Sequence, residues 1–195
     1  MKKEIVEKVE NQTPEELAAR EKEITEFVKK DYQEHRAMMD KLAEGFENKE
    51  PQIYIMNYKT VQKYLRSVNY YGFFDANTYI ISFYGEGEKK VNFDRVKARV
   101  CQQRLDDVRF VDNIEQYYNE HKNEFMIIAK FISEAVANGA KIVCQCNAGV
   151  SRSAATAKAI KDFFYGTGYE IDESGEYIPN DLFYRCIVES LSKLT

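Results

Sequence analysis

The stretch Lys141-Ile142-Val143-Cys144-Gln145-Cys146-Asn147-Ala148-Gly149-Val150-Ser151-Arg152-Ser153 decides how this chain is read. Lys141 to Gln145 is an apolar run of strand length, and Ser153 to Phe164 beyond it is Ala-rich and helical in spacing. A loop from a strand's C-terminal end to a helix's N-terminus presents unpaired backbone N–H groups and a positive dipole end, so it suits an anion. The five residues between Cys146 and Arg152 can curl round a phosphate-sized dianion, with Gly149 free to take the backbone angles of the curl. The planar fork of Arg152 can hold two anionic oxygens, and Cys146 lies at the bottom of the cradle, where amide dipoles and Arg152 favour a thiolate.

Outward from that stretch, strand and helix patterns alternate. Ile53-Tyr54-Ile55-Met56 reads as a strand, and Thr60 to Val68 as a helix with Val61, Tyr64, Leu65 and Val68 on one face. Tyr79 to Tyr84 is a second strand closed by Gly85-Glu86-Gly87, and another strand ends at Leu105. Phe125 to Ile132 repeats at helical spacing and stops near Asn138-Gly139. Arg95, Lys97 and Arg99 alternate with Val96, Ala98 and Val100, which predicts one basic strand face. The whole pattern predicts an α/β domain over residues 51–195, with a mostly parallel central sheet flanked by helices.

Residues 1–50 differ. Thr13-Pro14-Glu15-Glu16 is a helix start, and Leu17, Ile24, Phe27, Val28, Met38, Leu42 and Phe46 follow at mostly helical steps. This predicts a charged N-terminal helical extension that packs on the following domain, on a second copy or in a partner's groove. The net charge of -4 resides there: residues 1–50 hold 10 basic and 14 acidic side chains, leaving 18 of each in residues 51–195. Such a balanced domain lacks the basic surplus of a nucleic-acid binder. An apolar fraction of 44% excludes a disordered chain, and the absence of a long apolar run argues against a signal peptide or membrane span, so a cytoplasmic protein is expected. Four unevenly spaced cysteines are expected to be reduced. Cys144-Gln145-Cys146 is too short for a zinc knuckle, and no metal or organic cofactor is implied.

The loop Cys146 to Ser153 matches C-x-A-G-x-S-R-S, and on it the chain resembles the cysteine-dependent protein tyrosine phosphatases, in particular the dual-specificity branch. The resemblance implies that fold for residues 51–195 and hydrolysis of phosphate monoesters on proteins, phosphotyrosine first, then phosphoserine or phosphothreonine. It implies Cys146 as nucleophile and phosphate held by Arg152 and the backbone of Asn147, Ala148, Gly149, Val150, Ser151 and Arg152. Ser153 matches the hydroxyl that assists loss of the thiolate. The family's general acid lies on an upstream loop. Asp107, 39 residues before Cys146, fits that place, with Asp106 second and Asp112 third. Ile178-Pro179-Asn180-Asp181-Leu182-Phe183 resembles the family's C-terminal P-N-x-x-F segment and places Asn180 behind the loop; an ordinary helix N-cap is its plainer reading.

The chain departs from the family at Gln145, where a histidine normally precedes the nucleophile. Glutamine can donate a hydrogen bond but carries no charge, so slower turnover is expected. Two alternatives follow: a weakly active or inactive phosphate-binding adaptor, or the same chemistry on inositol phosphates, phosphoinositides or RNA 5′-phosphates. The loop has no Lys or second Arg at 147–151 to favour a polyanion. Cys144, on the same strand face as Cys146, is read as buried filler before a resolving thiol. Cys101 and Cys186 are read as core, and His35 and His121 as surface residues.

Overall fold

The computed structural model describes residues 52–67, 72–166 and 177–194. The helix start at Thr13, the apolar stripe to Phe46, His35, Val68 and the acidic stretch 170–176 lie outside them. In chain order the elements are β1 (Ile53–Asn57), α1 (Tyr58–Arg66), β2 (Thr78–Tyr84), β3 (Arg99–Arg104), α2 (Ile114–Glu120), α3 (Lys122–Ala137), β4 (Lys141–Cys146), α4 (Arg152–Tyr165) and α5 (Asp181–Ser192).

The four described strands form one sheet in the order β1-β4-β2-β3, with every neighbouring pair parallel. The architecture is therefore the α/β parallel sheet flanked by helices that the alternating pattern predicts. β4 and β2 lie inside the sheet and are buried along almost their whole length, as parallel strands covered on both faces must be. The edge strands β1 and β3 are more exposed.

Strand alternation sorts the core into two layers. Ile80, Val143 and Met56 join Val61 of α1 with Phe74, Val91 and Phe93 in one apolar cluster. On the opposite face Tyr79 packs its ring on Phe131 of α3 at 5.0 Å, and Phe83 meets Phe183 of α5 edge-on at 5.1 Å. Ile81 pairs with Cys144 in register, so Cys144 and Cys146 point toward this second layer. α4 runs buried within it. Ala154, Ala155, Ala157 and Ala159 are wholly buried along its length, and their small side chains let the helix lie close to its neighbours.

One reading is corrected. The basic alternation 95–99 is not a strand face: β3 begins only at Arg99, after turns at 94–98, and Arg99 binds Glu134 and the Tyr79 hydroxyl. Those turns follow from Phe93 and Val91, which turn inward as core residues instead of extending the ladder. His121 is partly exposed, with its ring 4.6 Å from that of Tyr117. The helix α2 adds to the predicted elements, and α5 begins at the cap expected of Asn180; the side chains of Asn113 and Asn180 accept from the N–H groups of Gln116 and Phe183.

Candidate active site

Cys146 is the last residue of β4, an inner strand, and the chain enters α4 at Arg152 after a tight loop at the sheet's C-terminal edge. This is the edge where parallel α/β sheets bind ligands. The loop is moored to the start of α1: Tyr58 donates its N–H to the Asn147 carbonyl at 3.1 Å. Gly149 adopts a φ of 73°, and a Cβ there would lie 2.7 Å from the Asn57 nitrogen. Only glycine meets both demands. Asn57 is fixed in turn, its Oδ1 accepting from the Thr60 N–H at 2.7 Å.

Cys146 Sγ lies 3.1 Å from Ser153 Oγ, and the Gly149 N–H donates to it at 3.2 Å. Ser151, Arg152 and Ser153 are buried, whereas Asn147 and Ala148 are exposed. Ser151 is the N-cap of α4 yet makes no side-chain cap bond. Its hydroxyl donates instead to Asp107 Oδ1 at 2.7 Å, so the helix's first amides receive nothing from their own cap. Cys146 is thus paired with Ser153, and Ser151 with Asp107, through residues of the same loop and helix start.

Arg152 is held in a way the sequence does not foretell. It is one of the largest fully buried side chains. Nη1 donates to the Leu105 carbonyl at 2.7 Å, and Nη2 donates to both oxygens of Glu88 at 2.7 Å. The terminal fork is therefore occupied by protein. Nε is buried with no hydrogen-bond partner among the described residues. Such an orphaned cationic donor is costly unless an anion meets it. Gly85 completes this arrangement, for a Cβ there would lie 2.6 Å from Asp106 Oδ1 and 3.3 Å from Glu88 Oε2.

The two candidate acids differ in attachment. Asp107 Oδ1 accepts from Ser151 Oγ and, at 2.8 Å, from Asn180 Nδ2, which also donates to the Val108 carbonyl at 2.8 Å. Asp106 Oδ1 instead accepts from the Glu86 N–H at 2.6 Å. Asp107 belongs to the Cys146 loop; Asp106 belongs to the turn that carries Glu88. Asp112 is joined to neither by any hydrogen bond or ion pair among the described residues. Asn180 caps α5 through Oδ1, and its Nδ2 donates to Asp107. The segment before it pairs with the loop backbone, Ile178 N–H to the Val150 carbonyl at 3.0 Å.

Gln145 faces away from the sulfur. Its Oε1 accepts from Ser82 Oγ at 2.6 Å, and Ser82 accepts from Gln102 Nε2 at 3.0 Å. Gln102, Ser82 and Gln145 stand in register across β3, β2 and β4, forming a polar row within the α1-side layer. Gln102 also donates to the Val91 carbonyl at 3.2 Å, which ties the row to the segment that carries Glu88.

No protein-family model and no curated protein matches the chain. A similar solved structure is that of the human tyrosine phosphatase-like serine/threonine/tyrosine-interacting protein, at 24% identity, with a TM-score of 0.40, over 60% of this chain and 78% of that one.

Four residues escaped sequence reasoning: Glu88, Gly85, Leu105 through its carbonyl, and Tyr117. Glu88 lies 64 residues from Arg152, and nothing local distinguishes it from the other acids. Tyr117 is buried on α2, and burial above all pushes its hydroxyl up to about 12, with smaller contributions from Cys186 and Asp106. The remaining thiols fit the filler reading. All four cysteines are free and buried, and burial pushes Cys144 well above the ordinary thiol range. No group of three or more potential metal ligands occurs among the described residues, and no helix among them is long and apolar enough to cross a membrane.

Proposed function

We propose that this protein is a cysteine-dependent phosphatase that hydrolyses phosphate monoesters on proteins, as the C-x-A-G-x-S-R-S loop implies. The observation that carries the reading is the cradle itself. A sulfur accepts an N–H bond from its own loop, the helix that follows the loop starts without a side-chain cap, and Arg152 Nε in its first turn is buried with no partner among the described residues. Such donors stabilise charge on equatorial phosphoryl oxygens, where most of the catalysis of phosphoryl transfer arises.

In this reading the Cys146 thiolate attacks phosphorus and an S–P bond forms as the ester P–O bond breaks. The departing oxygen takes a proton from Asp107, carried on Oδ2, the oxygen not engaged by Ser151 or Asn180. Water then attacks phosphorus and returns a proton to Asp107, the S–P bond breaks toward Cys146, and inorganic phosphate leaves. Ser153 Oγ, 3.1 Å from the sulfur, donates to the thiolate as it departs. Arg152 contributes Nε to the phosphate, while Glu88 and Leu105 fix its plane.

The test is turnover of p-nitrophenyl phosphate and of phosphotyrosine, phosphoserine and phosphothreonine peptides by the wild type and by Cys146→Ser and Arg152→Ala. Hydrolysis by the wild type, abolished in Cys146→Ser, is the expected result. Full turnover in Cys146→Ser would overturn it. An adaptor reading draws on Gln145, whose place in an uncharged row supplies no cation beside the cysteine. Phosphopeptide binding without any wild-type turnover would favour it.

A further inference from the structure

We infer that the groove between α1 and the Glu88–Lys90 segment binds a second anionic group of the substrate, a carboxylate or phosphate flanking the phosphoresidue of a peptide. The inference rests on the phosphatase reading and adds a specificity subsite to it. The groove encloses about 410 Å³ and is lined by Tyr58, Lys59, Gln62, Lys63, Arg66 and Lys89.

Four of those six side chains are cations, all exposed. None makes an ion pair with a carboxylate among the described residues. Lys59, Lys63 and Arg66 follow at four- and three-residue steps, so they share one face of α1 and repel one another. Lys63 and Arg66 in the last turn complement the helix dipole, which explains them without any ligand. Lys59 has no such excuse. It lies in the first turn, where α1 carries no acid and a cation opposes the dipole. Local rules broken at an exposed, unpaired position point to function. A bound anion would offset both the repulsion and the misplaced charge.

The groove also borders the candidate active site through covalent neighbours. Lys59 is two residues from Asn57, whose backbone packs on Gly149, and Lys89 follows Glu88, which grips Arg152. An anion there lies on the α1 face of the sheet. On the opposite face, the acid loop tied to Asn180 presents Phe110, 91% exposed, and Ile178 is 54% exposed. A cationic groove on one side and an apolar rim on the other suit a peptide laid across the loop's mouth. A compact polyphosphate has no use for the rim.

The experiment compares kcat/KM of the full chain on three matched phosphopeptides: neutral flanks, acidic flanks, and a second phosphoresidue. Lys59→Ala/Lys63→Ala and Lys63→Glu are run alongside, with thermal unfolding to show that these exposed substitutions leave the fold intact. The wild type is expected to prefer one or both anionic peptides by about tenfold, the ratio collapsing in the double variant, inverting in Lys63→Glu and shrinking with salt. The two anionic peptides tell carboxylate from phosphate. Equal rates on all three peptides, a preference that survives both variants, or competition by inositol hexakisphosphate but by no anionic peptide would overturn the inference. If p-nitrophenyl phosphate is not hydrolysed at all, the phosphatase reading falls separately. The groove is then judged by fluorescence anisotropy of the same peptides: weaker binding of the anionic ones to the double variant supports it, and unchanged binding overturns it.

Discussion

Glu88 meets the buried guanidinium of Arg152 with both carboxylate oxygens, each 2.7 Å from Nη2. The pair joins the turn after β2 to the start of α4, and it leaves Nε as the guanidinium nitrogen without a partner among the described residues. Removing one member of a buried pair leaves the other as an uncompensated charge. Glu88→Ala is expected to lower unfolding stability by about 3 kcal/mol in urea titrations. Glu88→Gln keeps an acceptor and should cost less, while raising KM for phosphopeptides as Arg152 loses its fixed plane.

The acids separate by their partners. In Asp107→Asn the amide oxygen can still accept from Ser151 and Asn180, so the loop keeps its place while the proton is lost. A fall in kcat of about 10²–10⁴-fold is expected, larger for a phosphotyrosine peptide than for p-nitrophenyl phosphate, whose leaving group needs no proton. Asp106→Asn, which keeps its bond from Glu86, should change kcat far less. Equal losses in the two variants would show that the assignment is wrong.

Gly149→Ala places a side chain at a φ of 73° and 2.7 Å from the Asn57 nitrogen. Left-handed backbone alone costs an ordinary residue about 1–2 kcal/mol, and the clash adds to it. The variant should unfold at clearly lower denaturant, and its activity should fall along with it.

Alkaline pH should unfold the protein from within. Burial pushes the Tyr117 hydroxyl from an ordinary 10.0 up to about 12, and the Cys186 thiol from 9.0 up to about 12. Both hold their protons more tightly folded than unfolded, so their contribution is complete below about pH 9 and is lost as pH climbs toward 12. Thermal melts between pH 7 and 9 should be nearly flat in these terms, then fall. Tyr117→Phe should soften the fall.

Much of this was legible because it is local. Strand, loop and helix over 141–164 follow from an apolar run, a glycine and an Ala-rich helix, and the C-x5-R spacing brings Cys146 and Ser153 together without help from elsewhere. Asn180 could be suspected from its cap position. Glu88 and Gly85 could not, because a buried arginine's partner is chosen by the sheet order, which sets the β2 turn beside α4. Gln145 illustrates the same limit. The sequence marks it as a departure, but its in-register tie to Ser82 and Gln102 exists only once β4 lies between β1 and β2. The basic stretch 95–99 misled because alternation alone does not distinguish a strand from a turn whose apolar residues fold inward.

Asn180 and Ser151 together clamp the carboxylate of Asp107 from two directions, 73 and 44 residues away along the chain. In the proposed mechanism these two bonds hold the acid in place before a ligand arrives. The ordering cost of the site falls on folding and is not repeated in each catalytic cycle. The rate should then be set by bond-breaking, and thickening the solvent with sucrose should leave it unmoved.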